Sequence, residues 1–435
     1  MSRFDDFSSP LTPRPTRWAT LACVAVATVL ASCGGGKRVK EFQPSQVIAF
    51  GDEYSAFEKA GIDINGTGTL RGLRYTINFV NKITVFCSAP FDGTYQCAAP
   101  ANTITVGVDD FAGGPSPTFA LVSGSQDVVQ VFGTGTVTGS LDSVPAGPIV
   151  NQAASKQVTR AYFCSPALST YTGTWVQTLA NAYGSGLTFG GDYCPQSSGN
   201  AQSYATWGAK VVDGAGTNTV AAQVAAHRAE LGDGTLVTVF AGQNDIIEAY
   251  DSVVAGTTGQ QDAAQALMAQ RGNQLAGVVN SITETGARVL VVLVPNLGLA
   301  PKVTSATAVG QNAALLTALS RAFNEGYNNT GGLRLGLLKD SGYKIATVDA
   351  YTLFGSASAS VTTEPACPAT TTKPDGSATV AAATDGGKEH LLYCTSDQLA
   401  TGVTLTSHLW ADATHLGPIG HASLAALAYS RVKQF

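Results

Sequence analysis

Four short runs along the chain are apolar and rich in β-branched residues: Val47–Phe50 (VIAF), Leu236–Phe240 (LVTVF), Arg288–Val294 (RVLVVLV) and Lys344–Asp349 (KIATVD). Near-continuous apolar runs of this length fit strands buried on both faces, not the alternation of a half-solvated sheet. Between them the period changes. Trp175–Tyr183 (WVQTLANAY) has helical spacing, and Gln261–Thr285, Ala306–Asn328 and Ala422–Lys433 repeat Ala, Leu or Val every three or four residues. Strands alternating with helices predict an α/β fold of three layers, a central parallel sheet covered by helices on both faces. In such sheets chemistry collects at the carboxyl ends of the strands.

Two stretches break the pattern. Residues 62–163 are rich in Thr, Val, Gly and Ser and alternate over short segments such as Thr103–Val108 and Val128–Val137. They predict a β-rich insertion that divides one α/β domain into residues 45–61 and 164–435. Residues 356–389, rich in Ser, Thr, Ala, Pro and Gly, predict a long surface loop.

Charge removes one class of function. The 435 residues carry 25 Lys+Arg against 30 Asp+Glu, a net charge of −5, with no long basic run. Nucleic-acid binding needs a basic footprint and is not expected. The amino terminus reads as an address. Residues 1–17 are polar and hold Arg3, Arg14 and Arg17, and Trp18–Leu30 is an uncharged apolar run. A membrane-spanning helix needs about 20 residues, so this run fits the apolar region of a secretory signal. It ends in Leu30-Ala31-Ser32-Cys33, which resembles the lipobox of bacterial lipoproteins. That resemblance implies a signal peptide over residues 1–32, a lipid on Cys33 and a tether over residues 33–44. Gly34, in place of Asp, implies the outer membrane, on its periplasmic or surface face. Apart from Cys23 and Cys33, six cysteines remain, and an even count in an exported chain points to disulfides. Sequence order offers three local pairs, Cys87–Cys97, Cys164–Cys194 and Cys367–Cys394, among other possible connectivities. No CxxC pair suggests zinc, and no metal or cofactor is expected.

Four blocks carry the candidate chemistry: Phe50-Gly51-Asp52-Glu53-Tyr54-Ser55, Tyr204-Ala205-Thr206-Trp207-Gly208-Ala209, Gly242-Gln243-Asn244-Asp245, and Asp412-Ala413-Thr414-His415. In this order they resemble the blocks of the SGNH/GDSL hydrolases, a family of esterases and lipases. The resemblance implies a flavodoxin-like parallel sheet and hydrolysis of carboxylic (acyl) esters. It implies that Asp412 orients His415 as the proton carrier, and that the Gly208 N–H and the Asn244 amide bind the oxyanion. The partners it implies are an ester-bearing small molecule, a lipid or an acylated glycan, with the membrane met through the lipid anchor. Other readings of single residues stay open: a turn glycine at 208, helix caps at Asn244-Asp245, a structural Asp52 and a structural His421.

The departure is at the nucleophile, where the family pattern has Ser after Gly-Asp and this chain has Glu53. Ser55 is the alternative nucleophile. Three outcomes follow: an ester hydrolase using Ser55 or water activated by Glu53, one using Glu53 itself as nucleophile, or a catalytically inactive protein that binds a glycan, lipid or protein partner. The ungapped alignment places Glu53 in the first turn of a helix after Val47–Phe50, its carboxylate facing His415 and Ser55 turned away.

Overall fold

Strand β1 (Gln46–Gly51) carries the first apolar run into the middle of a six-stranded sheet. The other strands are β2 (Leu187–Thr188), β3 (Ala201–Ser203), β4 (Thr235–Phe240), β5 (Arg288–Leu293) and β6 (Ile345–Asp349). Their order is β2-β3-β1-β4-β5-β6, and every pairing is parallel. All of β4 is buried, as is every residue of β1 and β5 after the first, which is what the continuous apolar runs require. β2 and β3 are too short to leave a periodic signal.

This computed structural model describes residues 41–58, 62–63, 69–70, 73–78, 80–87, 103–108, 119–121, 128–131, 136–138, 155–162, 173–185, 187–188, 200–212, 218–305, 308, 310–328, 345–356, 364–372, 378–382, 387–396, 398–399, 402–433 and 435. The signal, Cys33 and most of the tether lie outside the described residues, as do the side chains of Cys87, Cys97, Cys164 and Cys194. Among the described residues, no helix is long and apolar enough to cross a membrane.

Helices flank the sheet in two groups. α1 (Trp175–Ala182) packs on α6 (Pro418–Val432). The other group is α2 (Val220–His227), α3 (Gln243–Val253), α4 (Thr258–Thr283) and α5 (Ala313–Asn328), with α4 against α5 as its main contact. One large apolar core runs through sheet and helices. Local caps explain where boundaries depart from the apolar periodicity. Thr257 and Gln260 form a capping box that starts α4 at Thr258. The Asn312 side chain accepts from the Leu315 N–H at 3.0 Å, so α5 begins at Ala313 and not near Ala306. Pro418 at the first position lets α6 begin ahead of the expected Ala422.

Residues 80–87, 103–108, 136–138 and 155–162 form a four-stranded antiparallel sheet, with 119–121 and 128–131 paired separately. Residues 73–78, from the start of the same stretch, pack into the α/β body instead. The Asn78 N–H donates to the Cys394 carbonyl at 2.8 Å, the Asn78 amide donates to the Leu392 carbonyl at 3.0 Å, and Thr76 Oγ1 donates to the Leu416 carbonyl at 2.8 Å. With Leu391, Leu392, Cys394 and Cys367 they build a second, smaller core, closed by the Cys367–Cys394 disulfide. The surface loop expected over 356–389 is in part structured. Thr370–Thr372 pairs with Thr379–Ala381, and Thr371 and Cys367 are buried, because the Cys367 N–H bonds to the Ala411 carbonyl.

Candidate active site

β1 ends in a turn where a helix was expected. Gly51 has φ +142°, and a Cβ there would lie 1.9 Å from the Phe240 carbonyl oxygen of β4, so only glycine fits. The Asp52 N–H then bonds to that same carbonyl at 3.0 Å. Asp52 Oδ1 accepts the Tyr54 N–H at 3.2 Å and the Asp52 carbonyl accepts the Ser55 N–H at 3.0 Å, which closes a turn over residues 52–55. Continuation as helix is cut off because the Ser55 carbonyl is taken by Ser203 Oγ at 2.6 Å and Phe57 pairs with Arg74. Tyr54 fixes the turn from outside. Its ring stacks on Phe240 at 4.4 Å, and its hydroxyl donates to the Thr414 carbonyl at 2.8 Å.

This turn presents the Glu53 carboxylate, 1% exposed, to donors from three elements. Oε2 accepts the Gly208 N–H at 3.0 Å and the Asn244 amide at 2.9 Å. Oε1 faces His415 Nε2 at 3.2 Å, Asn244 Nδ2 at 3.2 Å and Gln243 Nε2 at 3.4 Å. Gly208 lies in the loop after β3, with φ +72°; its place is set by backbone conformation, since nothing crowds the missing Cβ. Gln243 and Asn244 open α3 immediately after β4, beyond the cap residue Gly242. Asn244 also donates to the Ala209 carbonyl at 3.2 Å. Both its neighbours are acceptors, which fixes the orientation of the amide.

Asp412 and His415 sit in a tight loop clamped by the Trp410–Leu416 bridge. Asp412 Oδ1 accepts the backbone N–H groups of Thr414 at 2.8 Å and His415 at 2.7 Å. The same carboxylate lies 2.8–2.9 Å from His415 Nδ1. One residue thus shapes the loop and orients the imidazole.

Each ring nitrogen of His415 meets a carboxylate, so both are donors and the ring is an imidazolium. Burial alone would depress its pKa, but Asp412 and Glu53 outweigh burial and raise it to about 10. Burial would likewise raise Glu53, yet His415 and Asn244 hold it below the usual carboxylate range. Asp412 is lowered too, against burial, by His415 and the two N–H groups. Asp52 goes the other way: burial, and then the neighbouring Glu53 charge, push it well above the usual range. Its part is the turn.

Ser55 does not join this cluster. Its hydroxyl accepts from Trp175 Nε1 at 3.2 Å, and among the described residues no hydrogen bond joins it to His415. His421 is buried, accepts the Trp175 N–H at 3.3 Å and is lowered to about 3 by burial, then by Arg74 and His415, so it is a neutral packing residue. Asp245 accepts the Val211 N–H at 3.1 Å and faces Arg271, bracing the loop that carries Gly208. Among the described residues, no group of His, Cys, Asp or Glu is arranged to hold a metal ion.

Three neighbours were not singled out from the sequence. Gln243 adds a donor to Glu53, Trp207 stacks on His415 with centroids 5.1 Å apart, and Tyr54 ties the two loops together. Gln243 and Trp207 sit inside the quoted blocks, but only the fold shows which way they face.

No protein-family model and no curated protein sequence matches the chain. Among solved structures, an extracellular lipase from Streptomyces rimosus is 17% identical with a TM-score of 0.30, over 53% of this chain and 80% of that one. Phospholipase A1 from Streptomyces albidoflavus NA297 is 16% identical with a TM-score of 0.30, over 53% and 80%. A member of the lipolytic G-D-S-L family from Veillonella parvula is 12% identical with a TM-score of 0.29, over 59% and 86%. Likenesses this slight carry no weight for the reaction; the geometry around Glu53 does.

Proposed function

We propose that this protein is an acyl-ester hydrolase of the SGNH type with an atypical nucleophile position and low activity in its wild-type form. The observation that carries the reading is the meeting of one carboxylate with two oxyanion-type donors on one side and an Asp-backed imidazole on the other. Acyl transfer needs those donors and that imidazole, because negative charge develops on the carbonyl oxygen while a proton travels to the leaving alcohol. Here protonated His415 gives the proton to the alcohol oxygen as its bond to the acyl carbon breaks. Water supplies the new C–O bond and loses its proton to Glu53.

The low activity follows from magnitudes. An ester carbonyl must take the place of Glu53 Oε2 on two donors, at about 1.5–3 kcal/mol for each charge-assisted bond. That leaves the wild type roughly 10²–10⁴-fold below a site whose donors are free. Glu53→Ser should therefore raise hydrolysis of a short-chain ester such as p-nitrophenyl acetate by about that factor. Without the second carboxylate, His415 also regains the character of a base. His415→Ala on that background should remove the gain.

A second reading, a catalytically inactive binder of a glycan, lipid or protein partner, is favoured by the saturation of every donor by Glu53. A folded Glu53→Ser variant without turnover would select it and reject the hydrolase. Export and lipid attachment at Cys33 belong to the same proposal, and mass spectrometry of the membrane-associated protein checks them: any other amino-terminal residue overturns the anchor.

A further inference from the structure

We infer that the Glu53 side chain is a tethered ligand of this site, standing where a carboxylic acid product would bind, and that the cluster freed of it takes up a free short-chain monocarboxylate. The inference deepens the hydrolase reading and rests on it for the identity of the site, though not for the binding itself.

Three separate elements converge on the carboxylate: the loop carrying Gly208, the first turn of α3 and the 412–415 loop. None of these contacts is local in sequence, and each brings a proton donor. A carboxylate with 1% exposure is costly to bury unless its oxygens are matched by donors, and here both are. The split is that of an acid product: one oxygen on the oxyanion donors, the other on the imidazole. Tyr54, stacked on Phe240 and bonded to Thr414, and Trp207, stacked on His415, hold the turn and the imidazole whether or not residue 53 bears a carboxylate. The cluster is therefore a preformed carboxylate site, and in the wild type its ligand is covalently part of the chain. Esters and free acids alike must displace it.

Size sharpens the inference. Beyond its Cβ, glutamate consists of Cγ, Cδ, Oε1 and Oε2, the heavy atoms of acetate. A free acid stands about 3.5–4 Å from its carbon neighbours, where Cγ stood at bonding distance, so Glu53→Ala should admit formate and Glu53→Gly, with Cβ also gone, acetate. Glu53→Gln keeps the shape and should admit neither.

The test is titration of the purified full-length chain with sodium formate, acetate and butyrate, read by calorimetry and by the shift in thermal midpoint. Saturable formate binding is expected in Glu53→Ala, a shift of preference toward acetate in Glu53→Gly, and no binding in wild type or Glu53→Gln. Adding His415→Ala to Glu53→Ala should weaken formate by about tenfold or more, the loss of one charge-assisted bond. Folded Glu53→Ala and Glu53→Gly proteins indifferent to all three acids would overturn the inference. So would formate binding to wild type as tight as to Glu53→Ala. Should Glu53→Ala fail to fold, the Glu53→Gly and Glu53→Gln arms still decide it. Formate or acetate binding to Glu53→Ala and Glu53→Gly without ester turnover in Glu53→Ser would leave the carboxylate site standing and reject the hydrolase; turnover without that binding would do the reverse.

Discussion

Glu53 and His415 meet at 3.2 Å, yet they are held in unlike ways. The Glu53 turn hangs directly from the central sheet. β1 pairs with β4 over its whole length, Gly51 lies against the Phe240 carbonyl, and Tyr54 stacks on the Phe240 ring. The 412–415 loop is braced from outside the sheet by the smaller core. Ala366 and Cys367 bond to the carbonyls of Trp410 and Ala411, the disulfide joins Cys367 to Cys394, and Asn78 grips the carbonyls of Leu392 and Cys394. Asn78 comes from the stretch that otherwise forms the antiparallel sheet. The first half of the site inherits its rigidity from the fold's main core. The second depends on one cross-link and a few hydrogen bonds between distant segments, so the two halves should fail differently.

The largest difference should come from a pair of lesions, one in each half. Gly51→Ala forces a Cβ against a backbone carbonyl at a positive φ; strain of about 1–3 kcal/mol adds to overpacking of about 1–3 kcal/mol. With sheet backbone as the obstacle, the upper ends apply, and the whole domain should lose most of its stability. The double substitution Cys367→Ser and Cys394→Ser removes a cross-link that spans 27 residues. That should cost about 3–4 kcal/mol by loop entropy. Its effect should concentrate near the 412–415 loop, so ester turnover of Glu53→Ser should fall more than global unfolding explains. Hydrogen exchange on both variants checks this: equal loss of protection in β1 and in residues 409–416 after cysteine removal would erase the distinction between the halves.

A smaller effect should appear in the pH dependence of stability. His415 is raised from 6.5 to about 10, so its contribution is complete below about 6.5 and is lost as pH rises through about 10. Glu53 and Asp412 are lowered, so theirs is fully present above the usual carboxylate range and lost as pH falls below it through their lowered values. The network should stabilise most between about 4.5 and 6.5. Glu53→Gln removes one of the two carboxylates beside His415, so the alkaline loss should be smaller and complete at lower pH. Thermal midpoints across pH for both proteins measure it, and coincident alkaline limbs would show that Glu53 and His415 are not coupled.

The sequence by itself determined the layers. Four apolar runs became β1, β4, β5 and β6 within a residue or so; in β1, β4 and β5 burial on both faces leaves no freedom of side-chain polarity, while β6, at the sheet edge, is only partly buried. The resemblance of the four blocks, and no periodicity, singled out Glu53, Gly208, Asn244, Asp412 and His415, which lie in one hydrogen-bonded cluster. The facing of Glu53 and the turning away of Ser55 were legible from the alignment, although the helix assumed to produce them is a turn set by Asp52 and Ser203. Only the tertiary structure decided that Thr76 and Asn78 belong to the body, that residues 364–372 pack under the 412–415 loop, and that Gln243 and Trp207 face the site. The reason is physical. Periodicity reports how much of a segment is buried, whereas the partner of a single hydrogen bond between residues hundreds apart is fixed by chain packing and leaves no local trace.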